Sequence, residues 1–396
     1  MTDDHLLPSN ATPFEKALSL STDVIPRVGW AAMEMRGLKL RNPPPSFLPF
    51  LLYEYGLGPI SRFFEDPREC IAEGIAWQRV RGTQDAITRA LDWIGYGGEH
   101  ENFPVRRRRW NLFMLEMDRL RDFEDPDLAN IEYLAGLSVA LRSRFWRGFK
   151  DYDVRPLEYG WSRWGQSLYS TYSGARIRAN GAKWSFGRTY ERDYSPTQDD
   201  LEALDVWIED SEDPSLTWGE FTWEEEDVTW ASSPADVRSR LMASGVLAKS
   251  AWVLFRDENG AAIGARRARV KRGVALDATG PYEFGGARYA PFDATNAIYV
   301  EAMTDFGDGY NANQLIAPGI TVPAGSQVGS IVATFGSIVA KQWSLLLGPQ
   351  LSNQTKPGAL WANASQLIGG VEIMPTDCDI EFSRTVRERF KAVLRF

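Results

Sequence analysis

The sequence predicts an α+β multidomain protein. It reads as an N-terminal helical domain over 1–150, an aromatic and acidic middle region of short strands and helices over 151–245, and a mainly antiparallel β domain over 246–396. Three observations carry this expectation. Helix-start signals crowd the first part, aromatic segments without helical period follow, and short apolar runs separated by Gly, Pro and Asn fill the rest. At about 150 residues per domain, 396 residues make two to three domains, each long enough to bury a core.

Five times a capping residue precedes proline: Thr12-Pro13, Asp66-Pro67, Asp125-Pro126, Ser195-Pro196 and Ser233-Pro234. Proline suits a first helical position because the N–H it lacks would have had no intrahelical acceptor. Glu15, Glu69 and Gln198 stand three residues past three of these caps, the spacing of a capping box. From Asp66, Cys70, Ile71, Ile75 and Val80 recur near helical spacing. Gly82 then ends that helix without a Cβ penalty, and Thr83 caps a second whose stripe is Ala86, Ile87, Ala90, Leu91 and Ile94. Trp110, Phe113, Met114, Met117 and Leu120 predict another helix, and Leu128, Ile131, Leu134, Leu141 and Phe145 predict one from Asp125.

After Arg155, segments such as RPLEYGWSRWGQSLYSTYSG read as strands and tight turns. Asp199 to Asp227 holds thirteen acidic residues and no Lys or Arg, a solvated face or a docking surface for a basic partner. TWGEFTW and VTW resemble short repeated strands. Ala251–Arg256 and Ala262–Val270, joined through Asp257-Glu258-Asn259-Gly260, predict a hairpin in which Ala268 and Val270 face inward and Arg267, Arg269 and Lys271 outward. Further strands are expected at Ala297–Met303, Val328–Phe335 and Val371–Met374. The closing IEFSRTVRERFKAVLRF begins as a strand and turns helical, with an apolar, basic end suited to docking.

Charge and composition narrow the function. Net charge is -9 at a pI near 5.1, which argues against bulk nucleic-acid binding. Cys70 and Cys378 make no disulfide framework and fit a reducing compartment. The opening MTDDHLLPSN has no signal-peptide character, and no apolar run of about 18 residues occurs, so a soluble chain without a membrane span is expected. His5 and His100, the only histidines, carry no catalytic motif, and His100 reads as a surface loop. P-loop, GxSxG, HExxH, CxxC and strand-linked GxGxxG patterns are missing, so no catalytic residue, cofactor or metal site is assigned. A carboxylate pair for glycoside hydrolysis is not singled out among 53 acids. The loop from Asp305 to Asn311 lacks the ligand pattern of a calcium site and reads as a turn. Trp161, Trp164, Trp184, Trp218, Trp223 and Trp230 read as packing for small β modules rather than a sugar platform.

Three ordered features of the first hundred residues resemble the tail protein I family of contractile-tailed bacteriophages. The first is Leu7-Pro8 with Asn10-Ala11-Thr12-Pro13, Glu15 and Ala17-Leu18. The second is Asn42-Pro43 and Pro44-Pro45 leading into Phe47-Leu48-Pro49-Phe50-Leu51, with Tyr53 and Tyr55 where the family usually shows Trp. The third and strongest is Arg79-Val80-Arg81-Gly82-Thr83 followed by Ala86, Ala90-Leu91 and Gly95, similar to the family's helix, Lys/Arg-Gly-Thr break and second helix.

The resemblance implies a non-enzymatic baseplate wedge protein, made in the host bacterial cytoplasm and located in the virion tail. Its implied partners are other wedge proteins, including a larger tail protein J-like chain, the tail hub or sheath-initiating proteins, and the tail fibre. The expected partner interface comprises Ile75, Val80, Gly82, Thr83, Ile87 and Leu91 around the Arg-Gly-Thr corner, the basic Arg106, Arg107, Arg108 and Arg109 with Trp110, and Phe145 and Trp146 in RSRFWRGF. The apolar stripes at that corner are expected to be only partly covered by their own chain. The alternative is a receptor- or glycan-binding tail protein acting through the C-terminal β domain.

Overall fold

The computed structural model describes residues 7–8, 10–24, 28–29, 31, 43–102, 110–152, 172–210, 234–304, 339–352 and 358–396. Contacts divide the chain into two compact units, one of residues 1–95 with 138–140, the other of residues 96–137 with 141–396.

The described part of the first unit is helical: α1 (Pro13–Ser21), α2 (Leu48–Glu54), α3 (Pro67–Val80) and α4 (Gln84–Asp92). The expected capping box opens α1. Glu15 N–H donates to Thr12 Oγ1 at 3.3 Å, and Thr12 N–H donates to Glu15 Oε2 at 2.7 Å. Asp66 caps α3 by accepting from Arg68 N–H at 2.9 Å, without a reciprocal bond from Glu69. Leu51, Leu57, Ile60, Cys70, Trp77, Ala90 and Leu91 are buried to within a few per cent. Trp77 and Trp93 meet edge to face at 5.9 Å, Phe64 lies 5.0 Å from Trp93, and the Trp77 indole N–H donates to Ser138 Oγ at 3.0 Å.

In the second unit, β1 (Gly98–Asn102) and β2 (Leu112–Met117) precede α5 (Asp127–Ser138), whose final residue is counted with the first unit. β3 (Arg144–Lys150), β4 (Ala175–Arg176), β5 (Lys183–Tyr194), α6 (Gln198–Ala203) and α7 (Pro234–Leu247) come next. The strands then run β6 (Ala251–Arg256), β7 (Ala262–Arg267), β8 (Arg269–Leu276), β9 (Tyr282–Phe284), β10 (Ala287–Pro291) and β11 (Ala297–Met303). Beyond residues 305–338 lie β12 (Val339–Leu347), β13 (Gln350–Leu351), β14 (Trp361–Ala362), β15 (Leu367–Ile368), β16 (Val371–Glu381) and β17 (Val386–Arg395). One sheet has the order β1-β2-β3-β5-β17-β11-β8-β10-β9, with β4 on β5. A second runs β14-β7-β6-β12-β16, and β13 pairs with β15. The pairs β2–β3, β3–β5 and β5–β17 are parallel, and β6 to β17 pair with one another antiparallel. The chain is thus α+β with an antiparallel C-terminal region, as its punctuation predicts.

The two sheets bury a shared core. On β17, Phe390, Ala392 and Leu394 point into it while Val393 points to the other face. On β11, Ile298, Val300 and Ala302 join that core while Ala297 and Tyr299 pack with Val393. β6 divides likewise, with Ala251, Val253 and Phe255 inward and Trp252 and Leu254 in an outer cluster. Strands covered on both faces read as unbroken apolar runs, which is why AWVLF shows no alternation. Phe390 is the junction, 5.0 Å from Phe255 and 5.4 Å from Trp343. α6 and α7 close one side with Leu201, Leu204, Met242 and Val246.

Several local expectations are corrected. The stretch from Trp110 to Leu120 is not a helix: strand β2 (Leu112–Met117) occupies its middle. Phe113, Met114, Leu115 and Met117 are all buried, and burial on both faces of a strand mimics a helical stripe. The helical reading of the segment after Arg384 fails for a similar reason. Val386, Phe390, Val393 and Leu394 sit at helical intervals, yet the segment is β17 and pairs on both edges. The cap of α6 is Thr197, two residues past Ser195, with Asp200 completing the box. His100 lies in β1, stacked 5.1 Å from Phe113, rather than in a loop. The predicted strand Val328–Phe335, the turn from Asp305, the TWGEFTW and VTW segments and the aromatic stretch 153–171 fall outside the described residues. The strand Ala297–Met303 and the turn of the hairpin are as expected, with Asp257 Oδ1 accepting from Asn259 and Ala261 N–H and Gly260 at φ +76, but the return strand ends at Arg267, and Arg269 and Val270 belong to β8 in the other sheet.

Two predictions test this architecture. Gly174 has φ +109, and a Cβ there would sit 2.2 Å from the Trp184 carbonyl oxygen. Gly174→Ala should therefore cost roughly 1–3 kcal/mol, read as a lower melting temperature. Glu372 accepts from Arg256 Nε at 3.0 Å and from Ser344 Oγ at 2.6 Å. The Arg256 bond first, opposed by burial and aided by Ser344, holds its carboxyl below the ordinary value. Its contribution is complete above the ordinary carboxylate range and is lost as pH falls through the lowered value. Glu372→Gln should melt lower near neutrality, and the two melting curves should converge on acidification.

Candidate interaction surface

The geometry of the Arg-Gly-Thr corner follows from its residues. Gly82 has φ +94, a left-handed conformation that glycine adopts without Cβ strain. Its N–H donates to Ser138 O at 2.8 Å, so the turn is tied as well as bent. Thr83 holds the N-cap position of α4, but its hydroxyl donates backward to Val80 O at 2.6 Å rather than accepting from α4. Gln78 Nε2 donates to Tyr55 O at 2.6 Å, and Arg89 meets Glu73 at 3.4 Å across the α3–α4 hairpin.

The expected interface residues are placed as follows. Ile87 and Leu91 are buried by the chain itself, at 3% and 0% exposure, while Ile75 and Val80 are half-buried and Gly82 and Thr83 are exposed. The stripe on α4 is therefore enclosed within the molecule, and the α3 stripe is covered in part. Trp110 is 67% exposed. Phe145 is buried in a ring series, 5.5 Å from both Phe113 and Trp184. Trp146 is half-buried with the Arg176 guanidinium 5.4 Å over its ring. Arg106, Arg107, Arg108 and Arg109 lie outside the described residues.

The large apolar surface of the first unit lies elsewhere. α1 buries none of its residues, and Phe14 and Leu18 are 76% and 52% exposed. Phe50 and Tyr53 of α2 are exposed too, with Phe47 against Phe50 at 6.2 Å. The spacing Phe14, Ala17, Leu18 marks an amphipathic face in the sequence, but only the structure shows that nothing in the described chain covers it.

Burial pushes both the Cys70 and Cys378 thiols up to about 11, away from thiolate reactivity, and lowers the His100 imidazole. Among the described residues, no three of His, Cys, Asp or Glu converge as metal ligands, and no helix is long and apolar enough to cross a membrane.

Residues 7–140, which include α1 to α4, the Gly82 corner and the tie to Ser138, match the family described as Phage tail protein (Tail_P2_I). The match covers about a third of the chain, and over that segment the chain is similar to phage tail protein I. No curated protein matches the chain. The similarity over this segment suggests a structural role in a phage tail.

The corner yields a prediction of its own. Gly82→Ala must hold a Cβ at φ +94, so it should destabilise the helical hairpin by about 1 kcal/mol, measured by thermal melting, whereas Thr83→Ser keeps the hydroxyl and should be near neutral.

Proposed function

We propose that this chain is a baseplate wedge protein of a contractile tail. It joins a hetero-oligomeric wedge through residues 7–140, and its β region reaches neighbouring wedges, the tail hub, sheath-initiating proteins or tail fibres. The observation that carries this reading is α1. It is a nine-residue helix with a complete capping box and no buried residue. Isolated helices shorter than about 12–15 residues are marginal in water, so a helix this short that exposes Phe14 and Leu18 gains stability only against another surface. A second wedge polypeptide, such as the larger tail protein J-like chain, supplies that surface. The family match over the same segment supports the assignment.

Co-expression with the neighbouring tail gene products, followed by size-exclusion chromatography with light scattering, is the test. A stable hetero-oligomer is expected, and a monomer indifferent to every such partner would overturn the proposal. Phe14→Asp with Leu18→Asp should weaken the complex at least tenfold, since burying each side chain contributes about 1.5–3 kcal/mol, yet leave the melting temperature of the isolated chain unchanged. If Arg106 to Arg109 also meet an acidic surface, assembly should weaken between low and high salt and on Arg→Glu replacement.

A further inference from the structure

Within the second unit, an open groove of about 900 Å³ lies between the end of α7 and the corner joining β7 to β8. Lys249, Arg267, Arg269, Lys271 and Arg272 line it together with Tyr282, and no carboxylate is among its lining side chains. Five cations around one groove is a marked local excess in a chain of net charge -9.

The neighbouring acids neutralise only part of this charge. Glu301 is 3% exposed and pairs with Lys271, but it also holds Arg389 at 3.1 Å. Asp293 meets Arg272 at 3.4 Å with both side chains about three-quarters exposed, where such a pair contributes little. Lys249 and Arg267 have no carboxylate partner among the described residues. Burial first, with like-charged Arg267 adding to it against Glu301, pulls the Arg269 guanidinium below its ordinary value.

Three of the cations are evenly spaced along the chain. Arg267, Arg269 and Lys271 are alternate residues, with Ala268 between them turned into the core at 7% exposure. Alternate residues on extended backbone are about 6.6 Å apart, and an extended peptide repeats at the same interval. Successive cations can then meet every second side chain of such a peptide, whereas a single phosphate would engage one or two of them. Tyr282, whose ring lies 4.8 Å from Lys271 Nζ, and Pro291 supply apolar contact for the intervening residues.

We propose that this groove binds an extended acidic peptide segment of another polypeptide. The site lies outside the family-matched segment, and its assignment does not depend on the wedge reading.

Fluorescence anisotropy on the full-length chain tests it. The probe is a labelled octapeptide alternating Glu and Ser, set against the same peptide with Gln for Glu. Only the acidic peptide should bind, and binding should fall steeply between about 0.1 M and 1 M salt, as the screening length drops from about 10 Å to about 3 Å. Lys249→Glu with Arg267→Glu should weaken it at least tenfold. The milder Lys249→Gln with Arg267→Gln should weaken it several-fold with an unchanged melting curve. Replacing Arg106 to Arg109 with Ala should leave it unchanged. Equal binding of both peptides, indifference to the double variants, loss of binding on the Arg106–Arg109 replacement, or displacement by inorganic phosphate at the concentration of the peptide carboxylates would each overturn the proposal.

Discussion

β17 is hydrogen-bonded along both edges, to β5 in parallel and to β11 antiparallel, and it is covered on both faces. A strand in that position can carry charge only where a neighbour supplies the opposite charge at the same level. It does so repeatedly. Glu388 is fully buried and takes Arg188 of β5 at 2.6 Å, Lys391 takes Glu191 at 2.8 Å, and Arg395 takes Asp193 at 2.8 Å. Arg188 and Glu191 are the register partners of Glu388 and Lys391. A slip of one residue would strand these charges without partners and turn Phe390 out of the core, so electrostatics and packing specify the same alignment. Burial raises the Glu388 carboxyl even so, with Arg188 acting against it. The pair is therefore better understood as fixing alignment than as a large net source of stability.

Much of the architecture is written locally and is legible. The Thr12–Glu15 box, the Gly82 corner, the turn at Asp257 to Gly260 and the strand Ala297–Met303 all depend on residues close in sequence. What escapes a sequence reading depends on distant neighbours. β2 and β17 look helical because burial on both strand faces can reproduce a helical spacing by coincidence. The parallel alignment of β3, β5 and β17 leaves no local period at all. The interaction surface divides in the same way. The bend at Gly82 can be read from one residue. Which stripe stays uncovered cannot, because Leu91 and Leu18 are both apolar residues on amphipathic helices, and tertiary context alone buries one at 0% and leaves the other 52% exposed.

The two surfaces singled out above differ in physical character. α1 offers apolar area whose burial depends little on screening, while the cations along β7 and β8 offer charge whose attraction fades as salt shortens the screening length. An apolar contact of the first kind persists across ionic conditions, whereas a charged contact of the second kind is adjusted by them. The first lies in the family segment and the second in the β-rich region beyond it.

The placement of β17 also bears on biosynthesis. Arg188 and Glu388 are 200 residues apart, yet they face each other at the centre of one sheet. On the ribosome β5 emerges long before its partner, at translation speeds of about 5–20 residues per second, and must wait many seconds with one backbone edge unsatisfied. Pairing between such remote segments slows folding and leaves nascent edges open to wrong partners, so this sheet closes only after β17 has emerged, a delay that the helical hairpin does not share.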